Sequence, residues 1–318
     1  MSRRTLDSFA IPFAFGCVYF FWGSTYTAIK VGVEHLHPLV LCGLRFLIAG
    51  VLMLAFCGLR GMRIWLPVRQ LGWLAVVGLI LLGGGNICLV FAERYIASGL
   101  AALLVAAVPL HVAVLSMLLP HGERLQARGW VGLGLGITGL IALLWPGLHE
   151  VGKGQHQQAL GCAFVLGSAF LWAVGSILSR ELKLPVNPMV AAGWEMMAAG
   201  MASSVAALAI GGWAASDWTR GAVGAVAYLV IFGSLVGYTA FVWLLEHVPV
   251  SKVATHAYVN PVVAVILGAI LLGEHLRSSE YAGMIAVVIA VGLITSSRVR
   301  VEEKGRENKA AEAEPVEV

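Results

Sequence analysis

Two ionisable side chains stand where the surrounding sequence is almost wholly apolar: Arg45 in Gly43-Leu44-Arg45-Phe46 and Glu195 in Gly193-Trp194-Glu195. Each lies about seven residues inside its apolar segment, roughly 10 Å along a helix at 1.5 Å per residue. A charge at that depth in hydrocarbon costs at least about 2.5–3.5 kcal/mol and has to face protein or water. Two chemistries are open. Arg45 is a fixed positive charge on a pathway and Glu195 a titratable carboxylate; or Arg45 snorkels outward or caps carbonyls while Glu195 packs as a neutral acid. Glu93 and Glu246 fall at segment ends, where water is expected to reach them.

Other polar groups gather in the same way. Lys252, His256 and Asn260 recur at i, i+4 and i+8, which makes one polar stripe on an otherwise apolar helix. Such a stripe in lipid must face the protein interior or water. His111 is a candidate counterpart in the segment that answers to this one. Trp22 and Trp172 lie well inside their segments rather than at a headgroup belt, and either pack in the core or line a cavity with Ser24, Thr25, Tyr26, Asn86, Tyr238 and Thr239. Pro109 and Pro261 each lie midway along a segment. Proline removes a backbone hydrogen bond and loosens the carbonyl four residues back, here Val105 and Ala257; those carbonyls either bind substrate or permit a bend. The expected substrate-binding set is therefore Trp22, Ser24, Tyr26, Asn86, His111, Trp172, Tyr238, His256 and Asn260. Arg45 and Glu195 are the coupling or gating residues, expected in separate roles rather than as a salt bridge, and Pro109 and Pro261 the helix breaks.

Other chemistries lack their residues. There is no G-x-x-x-x-G-K-[ST] loop for an ATP motor, no H-E-x-x-H, no G-x-S-x-G and no cluster with metal-ligand spacing. No catalytic residue, cofactor or metal is expected. Gly134-Leu135-Gly136-Ile137-Thr138-Gly139 satisfies G-x-G-x-x-G, yet it lies inside an apolar run; Gly132, Gly136 and Gly139 make a flat face for close helix packing instead. The cysteines (Cys17, Cys42, Cys57, Cys88 and Cys162) all fall in apolar runs and imply no disulfide framework. A membrane enzyme would need a nucleophile facing a base, for example Ser98 and His256, and nothing in the spacing requires that.

The elements that carry these residues follow from composition. The chain has 318 residues, 59% hydrophobic and 12% charged, with mean hydropathy +0.86. Soluble domains carry about 25% charged residues. Apolar runs long enough to cross roughly 30 Å of hydrocarbon follow one another at 11–31, 38–58, 71–92, 97–118, 129–146, 160–179, 187–210, 222–245, 251–272 and 280–297. The expected fold is an all-α integral membrane protein with ten transmembrane helices. The net charge of +4 is scattered through loops and is no nucleic-acid signal; the expected partners are a small-molecule substrate and the lipid bilayer.

The chain also repeats itself. Trp22, Gly43, Ala49 and Gly50 return 150 positions on as Trp172, Gly193, Ala199 and Gly200, with Arg45 answered by Glu195. Gly122-Glu123-Arg124-Leu125 returns as Gly273-Glu274-His275-Leu276. Five spans per copy is an odd number, so the second copy enters from the other face and the halves are inverted, with the substrate site expected near the midplane. The divisions are a short N-terminus (1–10), a first repeat (11–146), a linker (147–159), a second repeat (160–297) and a tail (298–318) expected to be disordered. Of the 21 Lys and Arg, 15 lie on the side of both termini and five on the other, which puts both termini in the cytoplasm.

Taken in order, Trp22-Gly23-Ser24-Thr25-Tyr26, Leu44-Arg45-Phe46, the twin Gly-Glu pairs (122–123 and 273–274) and Tyr258-Val259-Asn260-Pro261 resemble the EamA family of the drug/metabolite transporter superfamily, over nearly all of residues 8 to 297. The resemblance is greatest to its bacterial inner-membrane branch of amino-acid or metabolite exporters. It implies a helical basket whose cavity is lined by the first, third and fourth helices of each repeat. It also implies export of a small metabolite, amino acid or drug-like compound without ATP, as a secondary transporter or as a facilitative uniporter or channel of the same fold. In the second copy the Gly-Ser pair is displaced, as Gly175-Ser176 after Trp172, and Asn260 has only Val108 opposite it, so the cavity need not be strictly symmetric.

Overall fold

The computed structural model describes residues 3–118, 126–151, 156–248, 250–253 and 255–294. The first Gly-Glu pair, residues 152–155 of the 147–159 link, and the tail from 298 lie outside the described residues. All described regular structure is helical: α1 (Arg3–Val33), α2 (Pro38–Leu59), α3 (Val68–Gly78), α4 (Ile87–Ala92), α5 (Ser98–Val105), α6 (Val108–Met117), α7 (Ala127–Val151), α8 (Gln157–Leu182), α9 (Pro188–Ala209), α10 (Arg220–Tyr228), α11 (Gly237–His247), α12 (Val250–Val253) and α13 (His256–Leu272). A further apolar helix, α14, covers Ser278–Ile294. Two π-helical stretches, Leu79–Asn86 and Leu229–Val236, join α3 to α4 and α10 to α11. Six helical runs among the described residues are long and apolar enough to cross a membrane: Pro38–Leu59, Val68–Ala92, Ser98–Met117, Ala127–His149, Gln157–Leu182 and Arg220–Leu245.

The helix ends follow from local chemistry. Pro38 and Pro188 each open a helix, where the missing N–H costs nothing. His37 Nδ1 accepts from Leu39 N–H at 3.3 Å, and Asn187 Oδ1 accepts from Met189 N–H at 2.9 Å, so two different side chains cap equivalent helices. Both helices stop at a glycine in the left-handed region, Gly61 (φ 72°) and Gly211 (φ 71°). The following N–H groups of Met62 and Gly212 then reach back to the carbonyls of Cys57 and Ala207. Adding 150 to the bounds of α2, 38 and 59, gives those of α9, 188 and 209; adding it to 79 and 86 gives 229 and 236.

α2 and α9 pack on each other through glycines. A Cβ on Gly43 would meet Ser204, one on Gly50 would lie 2.9 Å from Met197 N, one on Gly200 would lie 2.4 Å from Leu47 N, and one on Gly193 would meet Leu54. Each step up α2 is matched by an equal step down α9, so the two helices run antiparallel. The pairs also exchange under the 150-residue shift: Gly50 on Met197 becomes Gly200 on Leu47. Without a hydrophobic drive between lipid-facing helices, close backbone approach of this kind supplies much of the association.

The Gly132, Gly136 and Gly139 face of α7 packs on α14, against Leu293, Ala290 and Val287 respectively, with Gly136 also on Leu110. The G-x-G-x-x-G run is thus a helix-packing surface. α7 runs through Pro146 to Val151, five residues beyond the end expected from hydropathy. Pro146 removes one hydrogen bond and the helix continues beyond it. The two prolines at mid-segment behave differently from one another. Pro109 follows a break at Ala106–Ala107 and occupies the first turn of α6. Pro261 lies inside continuous α13, whose break comes earlier, around Thr255.

Candidate functional site

Arg45 lies between the two π-helical stretches. Its Nε donates to Ser234 Oγ at 3.2 Å and one terminal nitrogen to Asn86 Oδ1 at 3.4 Å; the guanidinium also lies over the Phe46 ring, 5.0 Å from the centroid. Asn86 closes the first π stretch and Ser234 sits in the second. Both stretches carry glycine where neighbours press closest, three in the first and Gly233 in the second. A Cβ on Gly233 would meet Thr25 and Arg45, one on Gly84 would meet Leu171, and one on Gly85 would touch Trp172 and the Ser168 carbonyl. A π turn carries an extra residue and a misfit in the hydrogen-bond ladder, and such turns concentrate at functional sites. Here each irregular stretch supplies one acceptor to the buried cation.

The two tryptophans take matched places across the halves. Trp22 packs against Gly237 and donates from Nε1 to the Gly233 carbonyl at 3.1 Å. Trp172 packs against Gly85. Trp22 then continues the cluster: its ring meets His256 edge-on at 5.1 Å and Phe241 at 5.0 Å, and Phe241 meets Tyr238 at 6.4 Å. With its amide nitrogen turned to the carbonyls of Tyr19 and His256, Asn260 donates to both, at 3.3 and 3.1 Å. Ser24 Oγ donates to the Phe21 carbonyl and lies 2.6 Å from the Tyr228 hydroxyl. Tyr26 is half-buried against the main core.

The expected residues thus fall into linked groups: Trp22, Tyr238, His256 and Asn260 in one, Arg45 with Asn86 in a second, and Trp172 on Gly85 beside Asn86. His111 stands apart from them. Its Nδ1 faces the Ala107 carbonyl and its ring lies 6.4 Å from Phe170, so it gives no counterpart to His256. Glu195 and Arg45 also do not meet as a pair: the donors on Arg45 go to neutral oxygens, while the Glu195 backbone packs against Gly78 at the head of the first π stretch. Ser98 faces Glu274 rather than His256. Ser234 and Tyr228 escaped the sequence reading, although Ser234 stands 150 positions after Gly84, in the copy of the glycine run.

One end of the helical bundle is held shut by polar contacts. Glu274, after α13, caps α5 in trans: its carboxylate accepts from Ser98 N–H (2.8 Å), Ser98 Oγ–H (2.8 Å) and Gly99 N–H (3.2 Å). An anion on a helix N-terminus is favourable. Lys30 Nζ donates to the carbonyls of Glu93 (2.6 Å) and Ile96 (3.0 Å), a cation at the C-terminal end of α4. His37 N–H donates to Ser216 Oγ and Asp217 N–H to the His35 carbonyl. Glu93, expected to be in reach of water, is fully buried, because Lys30 and the α8 N-terminus fold over the turn that carries it. Towards the other end, a cleft of about 510 Å³ lies among α1, α2 and α11, lined by Phe13, Cys17, Met53, Phe56, Thr239 and Trp243 among others. Arg45, Asn86 and the Trp22 group do not line it.

The EamA-like transporter family matches residues 9–145 and again 159–296. A protein of Escherichia coli (strain K12) named "Uncharacterized inner membrane transporter YedA" is 38% identical over 294 residues, 92% of each chain. A "Probable amino-acid metabolite efflux pump" of Salmonella typhimurium is 29% identical over 285 residues, covering 86% of this chain and 89% of that one. A solved crystal structure aligns over 91% of this chain and 98% of its own, with TM-score 0.63 at 21% identity, which is a likeness of fold. The chain belongs to the EamA-like transporter family.

Proposed function

We propose that the protein is a secondary active transporter that exports a small metabolite, amino acid or drug-like compound across the inner membrane. In this reading ten spans form two inverted five-helix repeats, both termini are cytoplasmic, and access alternates between the faces. The observation that carries it is the exchange symmetry at the centre. α2 and α9 run antiparallel with reciprocal contacts, and the π stretches at 79–86 and 229–236 flank a buried arginine. Two half-structures of opposite direction meeting at a polar midplane group are what alternating access requires. The polar contacts at one end and the apolar cleft towards the other fit a conformation closed on one face.

Trp22, Ser24, Tyr26, Asn86, Trp172, Tyr238, His256 and Asn260 are the proposed pathway residues. His111 keeps a place only through the helix break at Pro109. Arg45 supplies the fixed positive charge, Glu195 a titratable carboxylate for proton coupling. The relative named as an amino-acid metabolite efflux pump supports a substrate of that size. An efflux screen tests the reading: media from cells overexpressing the chain should accumulate one class of metabolite that a deletion strain retains. Proteoliposomes with and without a pH gradient then separate coupled export from facilitative passage. Transport equal under both conditions would leave a uniporter.

A further inference from the structure

Glu93 is the most deeply placed carboxylate among the described residues, with no exposed surface. Neither of its oxygens has a hydrogen-bond partner. One candidate donor, Lys30, directs its ammonium to two backbone carbonyls, one of them that of Glu93 itself. The other charged or titratable groups facing this carboxylate are Arg45 from α2, Tyr26 from α1 and Glu274 from the segment after α13; Arg94 is its neighbour in sequence. The turn bearing Glu93 is covered on three sides. Lys30 comes from α1, Gly161 on α8 packs on Ala92, Tyr95 and Ile96, and Glu274 pins Ser98 and Gly99.

An ionised carboxylate without a donor, taken out of water, is expensive, and the group neutralises instead. Closure of this end of the bundle therefore favours the acid form, R–COO⁻ + H⁺ → R–COOH. Parting of α1, α8 and the Glu274 latch would return the group to water and release the proton. We propose that Glu93 is a proton-binding site that must be loaded for this end of the bundle to close. On the orientation proposed above, this end faces away from the cytoplasm. The proton is then taken from outside as the outer face closes and returned there as it opens, so acid outside favours the closed outer face. The placement in the transport cycle rests on the exporter reading; the linkage of closure to proton binding does not.

The test needs no substrate. Infrared difference spectra of the full chain in lipid nanodiscs, titrated across the range from mildly acid to mildly alkaline, report protonated carboxyls through their C=O stretch. At neutral pH the wild type should carry a carboxylic band that Glu93→Gln loses and Glu195→Gln keeps. A band unchanged in Glu93→Gln, or lost in Glu195→Gln alone, would overturn the proposal. Hydrogen exchange of wild type gives a measurement that depends on no variant: corrected for intrinsic rates, protection of the amides of residues 95–99 should fall at least severalfold as the carboxyl ionises. Protection that stays constant through the band's titration would also overturn it. Neither outcome bears on whether the chain exports a metabolite.

Discussion

Arg45 on α2 donates from Nε to Ser234 on the second π stretch at 3.2 Å, and from its other side to Asn86 on the first, at 3.4 Å. One side chain therefore ties the two matched irregularities of the bundle together. Ser234→Ala removes the shorter tie and leaves a buried charged donor short of an acceptor. Interhelical hydrogen bonds in membranes average about 0.6 kcal/mol and reach about 1.7; the variant should sit at the upper end, read as a lower melting temperature in the same detergent. Arg45→Lys should cost as much or more, because an ammonium cannot span both acceptors in one plane. A Ser234→Ala melting curve equal to wild type would mean that Arg45 is held by Asn86 alone.

The α2–α9 contact makes a sharper contrast. A Cβ on Gly200 would lie 2.4 Å from a backbone nitrogen of α9's partner, whereas one on Gly224 meets nothing within 4 Å. Gly200→Ala should force the helices apart at a cost of about 1–3 kcal/mol or more and lower the yield of folded protein from detergent extraction. Gly224→Ala should be neutral or stabilising by about 0.5–1 kcal/mol. Equal yields from both would remove the glycine contact as the organising interface.

His37 accepts a hydrogen bond at Nδ1 to cap α2, which only the unprotonated nitrogen can do. Burial and the nearby Arg94 hold its basicity below the usual imidazole range. The unfolded chain then binds the proton more readily than the folded one. The stability that His37 contributes is present above about pH 6.5, the unperturbed value, and is lost as pH falls from there towards the lowered folded value. Asn187 does the same job on α9 without titrating. His37→Asn should keep the cap and flatten that part of the pH dependence, whereas His37→Ala should lose about 1 kcal/mol at neutral pH. Melting curves of the three proteins at pH values on either side of that range provide the check.

Glu195→Gln keeps shape and removes a titration. If Glu195 carries coupling, exchange of substrate across proteoliposomes should survive while accumulation driven by a pH gradient is lost. Unchanged gradient-driven transport would make Glu195 a packing residue. Glu93 would then be the carboxylate to examine.

Orientation has its own test. A reporter active only outside the cytoplasm, fused after Val318, should stay silent, because 15 of 21 cationic residues lie on the side of the termini. Activity there would invert the assignment of the closed end.

Much of this protein was legible along the chain, because hydrocarbon is an unforgiving solvent. Apolar runs must be helical to satisfy their own backbone, so the all-helical class needed only composition. The duplication was visible in Trp22 and Trp172 and in Gly50 and Gly200, since glycines that admit a neighbouring backbone tolerate no side chain. What the chain could not disclose was direction and partnership. That Arg45 spends its donors on Ser234 and Asn86 and not on Glu195 depends on which faces of α2 and α9 turn toward each other. The contacts of Gly193 with Leu54 and of Gly50 with Met197 put Glu195 level with Leu52, seven residues along α2 from Arg45. The π turns were hidden because the sequence runs almost uniformly apolar through both stretches. Glu93 was the plainest failure: its position at a segment end implied water, and only the folding of α1 and α8 across that end decided that water is excluded. Depth along a helix can be read from sequence spacing, whereas exposure is a property of what three other segments place over it.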